Sequence, residues 1–297
     1  MSLEVKTFKN GDVIINEGDI GKSMYRIVEG TADVIADYGK KEPFRLAVLG
    51  EGDYIGEMAV FEDYPRSATV VARDSVKALE IPKDKLNEFF SEDPSVILEL
   101  IDHLANKIRT MTNDYNEAKA LLSELQSTDS GKKQSLFSKI KRHIDTYQSN
   151  KTAITEPNAD VIRELYSGIA GKRSDNIKMC KSGAIVFDEA DVCNCLYLLH
   201  EGKVGIYCGN EQKTSELTAV AVFGAYGLID EEQRNAVAVS ESNDTIVEII
   251  NKDEIPAIFE SSPAKITVIL NLLSYRVRRL NIDFLSICKE ITENYNS

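Results

Sequence analysis

The sequence predicts a mainly β protein with helices, built as two jelly-roll barrels in tandem, each followed by a long heptad-patterned helix. Three observations carry this expectation. Between Gly11 and Ile81, turn signals recur at short, regular intervals: Glu17-Gly18-Asp19, Glu29-Gly30, Tyr38-Gly39-Lys40, Gly50-Glu51-Gly52-Asp53 and Arg73-Asp74-Ser75. Short strands spaced in this way close into an antiparallel barrel or jelly roll. The same pattern returns in the second half, where Gly183 to Gly202 matches Gly11 to Gly30 at a constant offset of 172. Finally, apolar residues step by fours and threes after each barrel, from Ile97 to Leu125 and from Ile266 to Ile291.

A chain of 297 residues accommodates about two domains, and 43% hydrophobic content suffices for a core in each. The repeat divides it into a first barrel with its helix (1–126), a helical linker (127–176) and a second barrel with its helix (177–297). A net charge of −13 disfavours nucleic acid and anionic lipid as partners, because both are bound largely by neutralising phosphate. A small anion remains possible where one arginine and local backbone dipoles outweigh distant, screened charge. No apolar run approaches the roughly 18 residues of a membrane span, and no charged-then-apolar leader precedes Phe8, so a cytoplasmic protein is expected.

Taken in order, the chain enters its first strand almost at once, at Phe8 to Ile14, which suggests a trimmed N-terminus or another element covering that side. Pro82 ends the barrel, a short helix covers Lys83 to Phe90, and Ser91 to Pro94 start the long one. Along it Ile97, Ile101, Leu104, Ile108, Met111, Tyr115, Ala118, Leu122 and Leu125 form about four heptads, which reads as a helix-pairing seam. The bland alternative is that only the first turns pack on the barrel. A basic amphipathic helix is expected over Gln134 to Tyr147, and another helix over Ala159 to Ile169. In so acidic a chain, Lys132, Lys133, Lys139, Lys141 and Arg142 read as a solvated face rather than a nucleic-acid patch.

The chemistry concentrates in residues 55 to 70, IGEMAVFEDYPRSATV. Glu57 and Arg66 flank a short turn that Pro65 stiffens, Gly56 lets the backbone approach a ligand, and the turn after Glu57 offers NH groups of the kind that bind anions. The residues alone allow two readings, a small phosphate site or a structural Glu–Arg pair on a hairpin. The stretch resembles the phosphate-binding cassette of cyclic-nucleotide-binding domains, the family of the catabolite activator protein and of the regulatory subunits of cyclic-AMP-dependent protein kinase. The family pattern is roughly F-G-E-[LIM]-A-L, a short loop, then P-R-[AST]-A-T-V, with Ile55 and Val60 departing from it here. The resemblance implies that Arg66 grips the exocyclic phosphate oxygens and Glu57 accepts the ribose 2′-OH. NH groups near Gly56, Met58, Ser67 and Ala68 complete the cradle, and Met111 and Thr112 face the purine. The implied ligand is cyclic AMP or cyclic GMP; Ser67 after the arginine is compatible with either.

The second cassette, FGAYGLIDEEQRNAVAV, places Ala225 over Glu57 and Gln233 over Pro65. A methyl group accepts no hydrogen bond, so the lost ribose contact costs about 1.5–3 kcal/mol. Gly224, Ala225, Arg234 and Asn235 thus form a degenerate site, with Arg234 either a weak anion binder or a structural residue paired with an acid such as Glu231 or Glu232. Cys180, Cys193, Cys195 and Cys208 match no metal spacing and read as core residues, with Cys193 and Cys195 pointing the same way on a strand. His103, His143 and His200 are scattered and offer no catalytic or metal constellation. The expectation is a sensor rather than an enzyme, with no metal or cofactor, reporting nucleotide through its long helices to an unidentified protein partner. The alternatives are a module of this fold that has lost ligand binding, and a transcription factor, which would need a helix-turn-helix. The two seams pair either with each other inside one chain, as a pseudo-dimer, or with a second copy in a homodimer.

Overall fold

The computed structural model describes residues 3–40, 43–62, 64–127, 136–150, 159–171, 176–191, 194–209, 212–228, 234 and 236–296. The first half contributes β1 (Val5–Phe8), β2 (Val13–Ile15), β3 (Ser23–Glu29), β4 (Ala32–Ala36), β5 (Phe44–Leu49), β6 (Tyr54–Ile55), β7 (Thr69–Ala72) and β8 (Val76–Pro82). They form two four-stranded antiparallel sheets, ordered β1-β8-β3-β6 and β2-β7-β4-β5. Helix α1 (Glu57–Glu62) lies between β6 and β7; α2 (Leu86–Glu92), α3 (Ser95–Ser127), α4 (Phe137–Asn150) and α5 (Ala159–Ser167) follow the barrel.

The second half repeats the pattern with β9 (Ile177–Cys180), β10 (Ile185–Phe187), β11 (Cys195–Glu201), β12 (Lys203–Cys208), β13 (Gln212–Thr218), β14 (Ala221–Phe223), β15 (Val237–Ser240) and β16 (Thr245–Asn251). Their order, β14-β11-β16-β9 and β10-β15-β12-β13, is that of the first barrel strand for strand. Register repeats too: Tyr25 lies opposite Ile55 and Tyr197 opposite Phe223. Equivalent positions fill the two cores, Tyr25, Ile27, Ile55 and Val70 in one, Tyr197, Leu199, Phe223 and Ala238 in the other. Helices α6 (Ile255–Ser261) and α7 (Pro263–Asn296) close the chain as α2 and α3 close the first barrel.

The chain resolves into two compact units. One holds the first barrel, α3 from Lys107 onward, α4, and α7 from Ser274 onward; the other holds Phe90–Asn106 and the second barrel with its flanking helices up to Leu273. In the first unit, α3 and α7 of the same chain pack together: Ala118, Leu121, Leu122 and Leu125 meet Phe284, Cys288 and Ile291. The core includes residues related by the repeat, Leu122 with Ile291 and Tyr115 with Phe284. In the second unit Phe90 and Phe259, also counterparts, meet edge to face with centroids 5.8 Å apart. When equivalent residues converge on one another, the contact is of the isologous kind that two-fold dimers make. The seam is therefore a helix–helix core, and not a helix resting on its own barrel.

Leu136, just before α4, and Ile140 within it complete that core. The described basic residues of α4 are exposed and form ion pairs, Lys139 with Glu124 at 3.3 Å and Arg142 with Asp114 at 2.9 Å, while Lys132 and Lys133 lie outside the described residues. The intervening side chain is different. His143 is 1% exposed, with its ring set against Phe284 at 6.0 Å. Burial pushes the His143 pKa below its ordinary value, an effect that the Lys139 carbonyl, Glu117 and Asp114 only partly oppose and Arg142 reinforces.

A base whose folded pKa is depressed stays neutral in the fold while the unfolded chain takes up protons. Its contribution to stability is therefore full above the unfolded value near 6.5 and declines as pH falls toward the folded pKa. Chemical denaturation between pH 7.5 and 5 should show this loss. His143→Gln should flatten the slope over that interval, while an identical slope would mean that other groups carry it.

Candidate functional site

The first cassette is assembled where β6, α1 and the loop into β7 converge. Gly56 adopts a φ of +73°, and a Cβ there would lie 2.1 Å from Arg66 Nη1, so both conformation and space require glycine. Gly21 makes room on the other side, with a Cβ position 2.9 Å from Arg66 Cζ. The Arg66 guanidinium is 7% exposed and donates to the carbonyls of Gly56 and Ser23. Its backbone is fixed as well: Arg66 N–H donates to Asp19 O at 2.8 Å, and Gly18 N–H donates to Arg66 O at 2.9 Å. Burial lowers the Arg66 pKa, with Tyr25, Glu57 and Asp19 opposing the shift. The guanidinium nevertheless keeps its charge at neutral pH.

Glu57 opens α1 with its side chain almost wholly enclosed, at 1% exposed. Its Oε1 accepts a 2.6 Å bond from Lys107 Nζ on α3. This contact was not among the expected site residues. The repeat places Arg276 over Lys107 but Ala225 over Glu57, so the alignment of the two halves did not reveal the pairing. Met58 is half-buried, Ala68 buried and Ser67 exposed beside the arginine. Met111 packs against the α3–α7 core, and the Thr112 hydroxyl donates within its own helix to Ile108 O at 2.7 Å. The structure thus joins Gly56, Glu57 and Arg66 in one place and leaves Met111 and Thr112 engaged on α3.

The second cassette keeps the frame and changes what fills it. Arg234 donates to Gly224 O at 3.1 Å and to Cys195 O at 3.0 Å, the same two carbonyl positions that Arg66 uses. Gly224 has a φ of +69°. Where the first barrel has Ile15 and Ile55, however, the second has Phe187 and Phe223, and these stack with Tyr197. The guanidinium lies over this cluster, 4.1 Å from the Phe187 centroid and 5.1 Å from that of Tyr197. Among the described residues, carbonyls and aromatic faces hold Arg234. Ala225 is buried. Asn235, Gln233, Glu231, Glu232 and Cys193 lie outside the described residues. Cys180 and Cys195 belong to the barrel core, the small-residue role expected of them.

His200 departs from its reading as an isolated residue. Its Nδ1 meets the Tyr166 hydroxyl at 2.7 Å and its Nε2 meets Glu248 Oε2 at 2.9 Å, while Lys265 Nζ donates to Glu248 Oε1 at 2.9 Å. A linear reading misses this, since His200 and Glu248 lie on neighbouring strands 48 residues apart. The side chains of His200, Glu248 and Lys265 are at most 6% exposed, so the network ties α5 and α7 to the sheet of the second barrel and is closed to a substrate. Among the described residues no cluster of His, Cys, Asp or Glu can hold a metal, and no helix is long and apolar enough to cross a membrane.

The fold is a repeated β-barrel module with a cassette of glycine and buried arginine between strands in each half. The family model for the cyclic nucleotide-binding domain matches residues 5–93 and 177–262, more than half of the chain. The chain belongs to that family, with two such domains in tandem. It is similar to a cAMP-dependent protein kinase regulatory subunit of Blastocladiella emersonii, at 31% identity over 116 residues, 39% of this chain and 26% of that protein. The matched region thus spans about a quarter of the length of this curated relative. Among solved structures, the regulatory domain of Toxoplasma gondii PKA with cAMP is 17% identical, with 89% of this chain and 86% of that one covered and a TM-score of 0.29. The structure titled cAMP bound PfPKA-R (141-441) is 18% identical, with coverages of 89% and 74% and a TM-score of 0.35.

Proposed function

We propose that the first barrel binds one cyclic nucleoside monophosphate, cyclic AMP in preference to cyclic GMP, and that α3 passes its occupancy to a protein partner. The observation that carries this reading is the pairing of an enclosed carboxylate, Glu57, with an enclosed guanidinium, Arg66, around a glycine that nothing larger can replace. A cyclic phosphate diester bears a single negative charge. One arginine balances it, and backbone NH groups at the start of α1 and near Ser67 and Ala68 supply further donors. Glu57 is the acceptor suited to the ribose 2′-OH. The regulatory subunit among the relatives supports cyclic AMP as the ligand and a protein as the downstream partner.

The route out of the site follows from the Glu57–Lys107 bond. A ribose hydroxyl that donates to Glu57 shares or displaces the bond from Lys107, so the position of α3 becomes linked to the occupant. Ala225 and the aromatic cluster under Arg234 argue against an equivalent ligand in the second barrel. That barrel serves instead to present α7. With α3 and α7 already joined in the core of the first unit, the chain works as a monomeric pseudo-dimer.

Arg66→Ala should weaken binding of cyclic AMP by at least about 2 kcal/mol, roughly thirtyfold, since it strips the charged donor from a desolvated phosphate. Arg66→Lys should restore only part, for want of the planar fork. Calorimetry that finds Arg66→Ala equal to the unmodified chain would reject the site. Light scattering across a wide concentration range should return the mass of a single chain; a dimer that Leu104→Asp and Ile108→Asp dissociate would reject the pseudo-dimer.

A further inference from the structure

The loop between α1 and β7 carries Tyr64 two residues before Arg66, and this aromatic ring is covered by a residue from the far end of the chain. The Arg278 guanidinium of α7 lies 4.6 Å from the Tyr64 ring centroid. Arg278 is 7% exposed, so this cation–π contact is made largely out of water, where such contacts are strongest. Tyr64 is in turn tied to the cassette: its N–H donates to Ala59 O at 3.3 Å, and Pro65 bridges to Ile20. A displacement of Tyr64 is therefore passed directly to the backbone of Arg66.

The arrangement is one-sided in sequence. The counterpart of Tyr64 in the second cassette is Glu232, whereas Arg278 has a cationic counterpart, Arg109, on α3. Only the first cassette carries an aromatic ring at this place for a helix guanidinium to cover. We propose that Arg278 is a positioning residue for the first nucleotide site: α7, the helix that follows the second barrel, holds the Tyr64 loop and with it Arg66 in binding geometry. The inference rests on the first barrel being the nucleotide site and adds that this site is incomplete without α7. By linkage, whatever shifts α7 changes nucleotide affinity, and nucleotide in turn favours the docked helix.

The test uses the full chain and four variants, Arg278→Ala, Arg278→Lys, Tyr64→Leu and Tyr64→Phe, with the double variant Arg278→Ala/Tyr64→Leu. Calorimetric titration with cyclic AMP should show Arg278→Ala and Tyr64→Leu each weakening binding by about three- to tenfold. The double variant should be no weaker than the worse single one, because both remove the same contact. Arg278→Lys and Tyr64→Phe, which keep a cation and a ring, should stay close to the unmodified chain. Hydrogen exchange without nucleotide gives an independent reading: the amides of Tyr64 and Arg66 should exchange at least about fivefold faster in Arg278→Ala. Unchanged exchange at those amides, or single-variant losses that multiply in the double variant, would overturn the assignment. Failure of the unmodified chain to bind cyclic AMP would instead strike the functional reading, while the exchange result still decides whether Arg278 positions the loop.

Discussion

A buried guanidinium that must be satisfied sets the constraint on which both barrels are built. Removing a charged group from water costs several kcal/mol unless hydrogen bonds replace the lost solvation. Each barrel meets that requirement with the same pair of carbonyls, Gly56 and Ser23 for Arg66, Gly224 and Cys195 for Arg234. Those carbonyls reach the arginine because the glycine before each cassette helix takes a positive φ and presents no Cβ. The two sites differ in what else surrounds the charge. Beside Arg66 stands the carboxylate of Glu57; beneath Arg234 lie Phe187 and Tyr197. The first environment suits exchange with an anionic ligand that also offers a hydroxyl. The second makes the arginine part of the core.

The proposed function leaves the second barrel the task of presenting α7. Its helix α7 carries the same apolar steps as α3, and the two share a core that includes Leu122 with its counterpart Ile291 and Tyr115 with its counterpart Phe284. Covalent connection raises the effective concentration of one helix at the other well above that of a separate chain. The sealed Tyr166–His200–Glu248–Lys265 network fixes the start of α7 to the second barrel's sheet. Near its middle α7 meets the Tyr64 ring through Arg278.

Much of the fold was legible because it rests on features that repeat along a line. The tandem barrels, the cassette placement and the two helix seams all follow from turn spacing, an internal sequence repeat and a step of four and three. Glu57, Gly56 and Arg66 were legible for a similar reason, being close in sequence and of distinctive chemistry. What escaped was contact between distant segments. Lys107 is 50 residues from Glu57, and nothing local marks it as that acid's partner. His200 looked solitary because its partners, Tyr166 and Glu248, come from another helix and a neighbouring strand. The aromatic rings beneath Arg234 likewise come from β10 and β11, segments far from it in sequence. Such pairings are decided by barrel closure, which periodicity predicts only as a shape.

The central claim is that two barrels with one frame contain a single competent nucleotide site. Calorimetric titration of the full chain with cyclic AMP measures this most directly through its stoichiometry. The account predicts one tight site per chain, retained when Arg234 is replaced by alanine. Two equivalent tight sites, or loss of the tight phase in Arg234→Ala, would contradict it.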